Sequence, residues 1–240
     1  MKKVMGEVKL IHKIKENIIP LSLMLIIPIV NVFYGILNNS NRGVYTLVTD
    51  LDKSMPFIPA FSVPYMVWYP FIIISLIYMC FKNRKLYYKS LTSIIISLIT
   101  SYIIFFFFQT TVPRPEVIAN DTFSGIVKFI YNTDNPYNCF PSIHVITTYI
   151  IMRYMLNNEV ENNRITNIIV TILGILIILS TEFIKQHVLF DIIFAIILGE
   201  GIYNMINYYG LEMIKKCQQK KYSLLMMKRN QRFNRYILNQ

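Results

Sequence analysis

Long apolar segments alternate with short polar ones along the chain. Six of these segments are about 17–22 residues long, which is the length at which an α-helix crosses a bilayer. They occupy residues 18–37, 63–81, 91–108, 141–157, 165–183 and 188–209. The pattern predicts an all-α, polytopic membrane protein whose six transmembrane helices form a helical bundle. The fourth segment is the weakest, since it carries Thr147, Thr148 and Arg153. In the second segment, Tyr65 and Trp68 are expected at the depth of the membrane interface or just inside it.

Polar, basic segments flank this predicted membrane domain, which covers residues 18–209. Residues 1–17 are expected to form a cytoplasmic N-terminus, and residues 210–240 a basic cytoplasmic tail with an interfacial helix. A basic start before an apolar segment is also typical of a signal peptide. The first segment is too long for one and contains Pro20 and Pro28 without a small-residue cleavage site. We therefore interpret it as a retained span.

Composition and charge agree with a membrane protein. Of the 240 residues, 54% are hydrophobic and 15% charged, and the mean hydropathy is +0.44, which excludes an ordinary soluble domain. The net charge of +11 could indicate nucleic-acid binding. However, the segments on one predicted side of the membrane carry 19 Lys and Arg, and those on the other side carry five. The positive-inside rule then places both termini in the cytoplasm, and the expected partner is the lipid bilayer rather than nucleic acid.

Residues 109–140 are the longest polar interval between predicted spans. Within it, apolar residues recur at helical spacing between Phe123 and Ile130. This spacing predicts a short helix that lies on the membrane surface.

A histidine and an aspartate at the start of the last span carry the first chemical signal. His187 and Asp191 are four residues apart, so on a helix the carboxylate can hold one ring nitrogen and leave the other free to react. A lone pair of this kind is more often a satisfied histidine at a helix end. Its place beside a membrane segment favours function, because ionisable groups there are costly.

The predicted topology brings further polar groups to the same side of the membrane. Arg114, His144, Lys185 and His187 all fall on the non-cytoplasmic side although they span nearly eighty positions. A guanidinium held between two prolines suits phosphate oxygens, although a snorkelling arginine is the common alternative. The chain contains no nucleotide-binding glycine loop, and its three cysteines have no metal-type spacing. A Ser142–His144 hydrolase dyad lacks the usual G-x-S-x-G elbow.

Three motifs in this order resemble the membrane-bound type 2 phosphatidic acid phosphatase superfamily. The first is Arg114-Pro115, the second Pro141-Ser142-Ile143-His144, and the third Ser180-Thr181 followed by His187 and Asp191. Two departures stand out, since Phe107 and Thr181 occupy positions where the family has Lys and Arg. Lys185 could replace one of these cations. The pattern is similar to the branch that contains inositol phosphoceramide synthase-like phosphotransferases.

The resemblance implies roles for six residues. His187 would attack phosphorus and form a phosphohistidine, Asp191 would orient it, and His144 would be the general acid. Arg114, Lys185 and Ser142 would hold the phosphate oxygens. No metal or other cofactor is implied.

Three functions remain open from the sequence. The leading one is a metal-independent lipid-phosphate phosphatase at the outer leaflet, acting on phosphatidic acid, phosphatidylglycerophosphate or a polyprenyl pyrophosphate. The second is a phosphotransferase that moves a phospho-alcohol group to a lipid acceptor. A non-enzymatic transporter ranks last, since it gives no reason for Arg114 and His144 to share a leaflet. Glu200 is expected to be buried in the sixth span without a chemical role, and the glycines beside it favour helix packing. The oligomeric state is not predicted.

Overall fold

The computed structural model describes residues 16–157 and 163–210, which form helices joined by turns and loops. In chain order these are α1 (Glu16–Leu37), α2 (Asp50–Ser54), α3 (Ser62–Lys82), α4 (Arg84–Phe107), α5 (Thr122–Thr133), α6 (Ile143–Met155), α7 (Arg164–Phe183) and α8 (Leu189–Gly210). A 3₁₀ turn interrupts α1, and another precedes α3. The predicted N-terminal segment up to residue 15 and the predicted tail from residue 211 lie outside the described residues.

The chain divides into one compact unit that ends at Tyr203 and a second that begins at Asn204. The contacts discussed below all lie in the first unit.

Five of the described helices are long and apolar enough to cross a membrane. They are α1, α3 with its preceding turn, α4, α7 and α8, and their ends fall within a few residues of the predicted spans, except that α4 begins earlier, at Arg84. The chain is therefore a helical membrane protein. The remaining predicted span forms α6, which has 13 residues and so extends over about 20 Å. This length is short of the ~30 Å hydrocarbon layer.

Helix α6 lies among the other helices. Ten of its 13 side chains are buried, and it packs against α3, α4 and α7. Its polar residues bond to neighbouring helices: Thr147 accepts a hydrogen bond from Trp68 Nε1 at 3.0 Å, and the Tyr154 hydroxyl lies 3.0 Å from Ser93 Oγ. A helix that contacts protein on most sides needs fewer apolar residues than one that faces lipid. This explains the weak apolar signal of the segment.

The predicted short helix of the long polar interval is present as α5. Asp121 caps it by accepting hydrogen bonds from the N–H groups of Phe123 and Ser124. Val127 and Ile130 are buried in a cluster with Tyr65 of α3, whereas Phe123 is exposed. The helix is confirmed, but part of its apolar face packs on protein rather than on lipid.

Helices α6 and α8 are joined by a polar contact around Glu200. Its carboxylate accepts a hydrogen bond from Tyr149 at 2.8 Å and two from Arg153, at 2.8 and 3.1 Å. The side chain is half-buried, not fully buried as the sequence suggested. The glycines beside Glu200 were expected to allow close helix packing. This holds at Gly199, where an added Cβ would lie 3.1 Å from Tyr149, but not at Gly201, where an added Cβ would meet open space.

We predict that Gly199→Leu destabilises the protein and that Gly201→Leu does not. A larger side chain at Gly199 must displace Tyr149 and Ile146, and overpacking of this kind costs about 1–3 kcal/mol. The matched substitution at Gly201 adds the same atoms to the same helix without a close contact. Thermal unfolding in detergent measures both. Equal melting temperatures for the two variants would contradict the close approach of α8 to α6.

Candidate active site

The polar groups predicted to converge do meet at one end of the helices. This end contains the end of α7, the starts of α6 and α8, and the loops that follow α1 and α4. Three bonds join these segments: Tyr45 N–H donates to the Gln109 carbonyl at 2.9 Å, Ser142 N–H to the Asp191 carbonyl at 3.3 Å, and Leu189 N–H to Asp52 Oδ1 at 2.8 Å.

His187 lies immediately before α8, and its side chain is buried. Its Nδ1 is 3.0 Å from the Cys139 carbonyl oxygen and 3.4 Å from Asp191 Oδ2. A carbonyl oxygen can accept a hydrogen bond but not donate one, so Nδ1 must carry the proton. In the neutral ring Nε2 then holds the lone pair, which is the arrangement that a nucleophilic histidine needs.

Two groups contact His187 Nδ1 and orient the ring: the Asp191 carboxylate and the backbone carbonyl of Cys139. At 3.4 Å the Asp191 bond to the ring is long for N–H···O, and the Cys139 carbonyl is closer. The same carboxylate oxygen accepts the Val188 N–H at 3.0 Å and so caps the start of α8. The i, i+4 spacing predicted the Asp191 contact for two residues on one helix; the contact is present, but His187 lies before α8, which begins at Leu189. The spacing could not predict Cys139, because a backbone carbonyl 48 residues away leaves no residue-type signal.

His144 lies in the first turn of α6 between two aromatic rings. Its ring centroid is 4.2 Å from that of Trp68 and 4.6 Å from that of Tyr65, and 5.9 Å from that of His187. Its Nδ1 has no hydrogen-bond partner among the described residues. Trp68 and Tyr65 were expected near the membrane interface from the sequence. Both are instead buried and hold the His144 ring.

Ser142 is the N-cap of α6. Its Oγ accepts the Val145 N–H at 3.3 Å, and the residue is fully buried. The sequence suggested that the helix begins at Pro141, but it begins at Ile143 because Ser142 supplies the cap. The predicted contact of Ser142 with phosphate stays a prediction.

Arg114 is anchored by neutral oxygens. Nη1 donates to the carbonyls of Asp134 at 2.6 Å and Tyr131 at 3.3 Å, and Nη2 donates to Gln186 Oε1 at 2.7 Å. The guanidinium also stacks on the Tyr131 ring at 4.6 Å. It bonds no carboxylate among the described residues, and Nε is buried without a partner. A cation fixed in this way has unused donors for an anion.

A cavity of about 330 Å³ joins Arg114 to His187. Lys185 lines it, and the Nζ of this lysine donates to Glu182 Oε1 at 3.0 Å and to the Asp52 carbonyl at 2.9 Å. An ammonium has three N–H groups, so one remains for another acceptor. The backbone of Lys185 has φ +52°, in the left-handed region that favours glycine.

The two departures from the family motifs have different surroundings. Phe107 is 78% exposed at the end of α4, and it is not part of the cavity lining. Thr181 is fully buried, and its carbonyl accepts the N–H groups of Gln186 at 2.9 Å and His187 at 3.1 Å. An arginine at position 181 would therefore have to displace packed side chains. Gln186 and Glu182, which the sequence reading passed over, are part of the site.

Within the described ranges, no three His, Cys, Asp or Glu side chains come together as metal ligands would. Asp191 and Asp52 are engaged in capping α8, and His187 in its bond to Cys139. The prediction that the site works without a metal stays a prediction.

A comparison with protein families identifies the chain. The PAP2 superfamily model matches residues 86–212, more than half of the sequence, so the chain belongs to the PAP2 superfamily. The match covers all three motifs described above. No curated protein and no solved structure matches the chain. Members of this superfamily are phosphatases or phosphotransferases, which indicates an enzyme that acts on phosphorylated lipids.

We predict that Lys185→Gly is more stable than Lys185→Ala by about 1 kcal/mol, because glycine adopts a positive φ without the penalty that a Cβ carries. Both variants remove the same ammonium and leave Glu182 equally unpaired. Their activities should therefore fall by the same factor. Thermal unfolding and turnover of a lipid phosphate measure the two effects. If the melting temperatures are equal, the backbone at position 185 is not strained.

Proposed function

We propose that the protein is a metal-independent lipid-phosphate phosphatase that acts through a phosphohistidine on His187. The observation that carries this proposal is the bond from Nδ1 to the Cys139 carbonyl, which leaves Nε2 as the nucleophilic nitrogen. The cavity beside it also contains Arg114, whose remaining N–H groups suit phosphate oxygens. A nucleophile and a fixed cation at one cavity are the two groups that phosphoryl transfer requires.

In the first step, Nε2 of His187 forms a bond to phosphorus and the ester P–O bond breaks. His144, 5.9 Å away between ring centroids, gives its proton to the departing alkoxide. Arg114 and the third N–H of Lys185 stabilise the equatorial oxygens, with the Ser142 hydroxyl as a further donor. Asp191 and the Cys139 carbonyl together stabilise the positive charge that develops on the His187 ring.

In the second step, a nucleophile attacks the phosphohistidine and restores His187. Neutral His144 takes the proton from this nucleophile, which returns His144 to its starting state. Water as nucleophile releases phosphate, and phosphatidic acid, phosphatidylglycerophosphate or a polyprenyl pyrophosphate fits this reaction. A lipid alcohol as nucleophile gives a phosphotransferase. Lys185 forms an ion pair with Glu182, so the site has little uncompensated positive charge for a phosphate dianion. This observation supports the phosphotransferase as the second candidate.

We further propose that α6 is the sixth span and that both termini are cytoplasmic. Its burial among other helices makes a short span possible, because protein rather than lipid surrounds it. The distribution of Lys and Arg then puts the active site on the non-cytoplasmic side of the cell membrane. In this scheme residues 18–209 form the catalytic membrane domain between the basic N-terminus and tail.

The purified protein in detergent should turn over at least one member of a panel of phosphorylated lipids. Release of free phosphate identifies hydrolysis, and a new phosphorylated lipid identifies transfer. His187→Ala should lower turnover below detection, since its Nε2 is the nucleophile. Turnover that persists in His187→Ala would contradict the proposal. Gly201→Leu, which changes a residue outside the site, serves as the control for handling and folding.

The role of His144 can be tested with leaving groups of different basicity. His144→Ala should lower the rate on an alkyl phosphate by about 10²–10⁴, the usual contribution of a general acid. A nitrophenyl phosphate needs little protonation on departure, so most of its rate should remain. The ratio of the two rates for each variant is the measured quantity. An equal loss on both substrates would assign another role to His144.

A further inference from the structure

Glu182 places a carboxylate in the same cavity as the proposed phosphate site. Its side chain is 5% exposed and lines the cavity near the end of α7. Oε1 accepts the Lys185 ammonium at 3.0 Å, whereas Oε2 is buried with no hydrogen-bond partner among the residues that the structure describes. An unpaired buried carboxylate oxygen is costly, and it repels a phosphate placed against it. The proposed phosphatase chemistry makes no use of this atom.

The other carboxylate that lines the cavity has its oxygens engaged. Asp52 Oδ2 accepts the Thr49 N–H and hydroxyl, and Oδ1 accepts the Leu189 N–H. Burial alone would raise the pKa of Asp52, but these hydrogen bonds outweigh it and hold the pKa below its ordinary value. Asp52 therefore ties α2 to the start of α8. Glu182 is the carboxylate with acceptor capacity left.

The cavity also has more room than a phosphoryl group needs. Its 330 Å³ corresponds to on the order of ten water molecules. Both groups line it: Arg114 has N–H groups left for phosphate oxygens, and Glu182 Oε2 has no hydrogen-bond partner among the described residues. A phosphate and a hydrogen-bond donor next to it can therefore each find a partner in the same cavity.

We propose that Glu182 binds an O–H or N–H donor carried by the head group next to the scissile phosphate, so that the enzyme selects hydroxyl- or ammonium-bearing phospholipids. This inference rests on the proposed function, and it adds the class of head group that the function leaves open.

Three soluble probes test this subsite in detergent micelles: dodecyl phosphate and its 2-hydroxy and 2-amino derivatives. The wild-type kcat/KM should be about tenfold to a hundredfold higher for at least one donor-bearing probe than for dodecyl phosphate, the scale of a hydrogen bond to a charged group. A preference for the amine alone indicates a cationic head group. A similar preference for both derivatives indicates a hydroxylated one.

Glu182→Gln should remove most of this preference. It should also raise kcat/KM for dodecyl phosphate, because the Lys185 ammonium is then no longer paired with a carboxylate and attracts the phosphate more strongly. Glu200→Gln makes the same change at a carboxylate that pairs with Arg153 and does not line the cavity, so it is the matched control, with an unchanged ratio expected. A uniform loss on all three probes in Glu182→Gln would show a purely structural role and overturn the inference.

If Glu182→Gln proves unstable, Glu182→Asp keeps the negative charge but shortens the side chain, and its preference for the donor-bearing probes should be smaller than that of the wild type. Equal wild-type kcat/KM for the three probes overturns the Glu182 subsite but leaves the phosphatase proposal intact. Turnover of none of them contradicts the phosphatase proposal itself. The two failures are therefore distinguishable in one experiment.

Discussion

The hydrogen bond from His187 Nδ1 to the Cys139 carbonyl is the contact on which the site depends. It fixes the ring, assigns the proton to Nδ1 and leaves the lone pair on Nε2, the nitrogen that the proposed mechanism uses as nucleophile. The bond requires the segment before α6 to lie against the start of α8, and the Ser142 N–H to Asp191 carbonyl bond holds them there. Helix α2 takes part as well, since Asp52 accepts the Leu189 N–H at the start of α8. Three separate parts of the chain thus combine to position one imidazole.

Helix boundaries were largely predictable because bilayer thickness fixes the length of an apolar segment. The predicted ends of α7 and α8 are within one residue of those in the structure. The weakness of α6 also had a physical meaning, since this helix is surrounded by protein. The spacing of His187 and Asp191 pointed to their contact, although only Asp191 lies on α8. These features are local in sequence, and local patterns record them.

Contacts between distant segments were not predictable in the same way. The Cys139 carbonyl is a backbone group, and every residue has one, so its role depends on how two loops pack. Trp68 and Tyr65 looked like interfacial aromatics because nothing local shows that they enclose His144. Lys185 was predicted to bind phosphate, but it forms an ion pair with Glu182, whose negative charge offsets its own. The balance of charge in the cavity is thus a property of tertiary structure.

The most direct test of the account is the chemical state of His187 during turnover. Alkaline quenching of the enzyme with substrate, followed by mass spectrometry of the peptide that contains residue 187, detects an acid-labile phosphoramidate. The account predicts one phosphoryl group on His187 Nε2, formed and lost at rates consistent with kcat. Turnover with no covalent phosphate on the enzyme, or with the phosphoryl group on another residue, would contradict it.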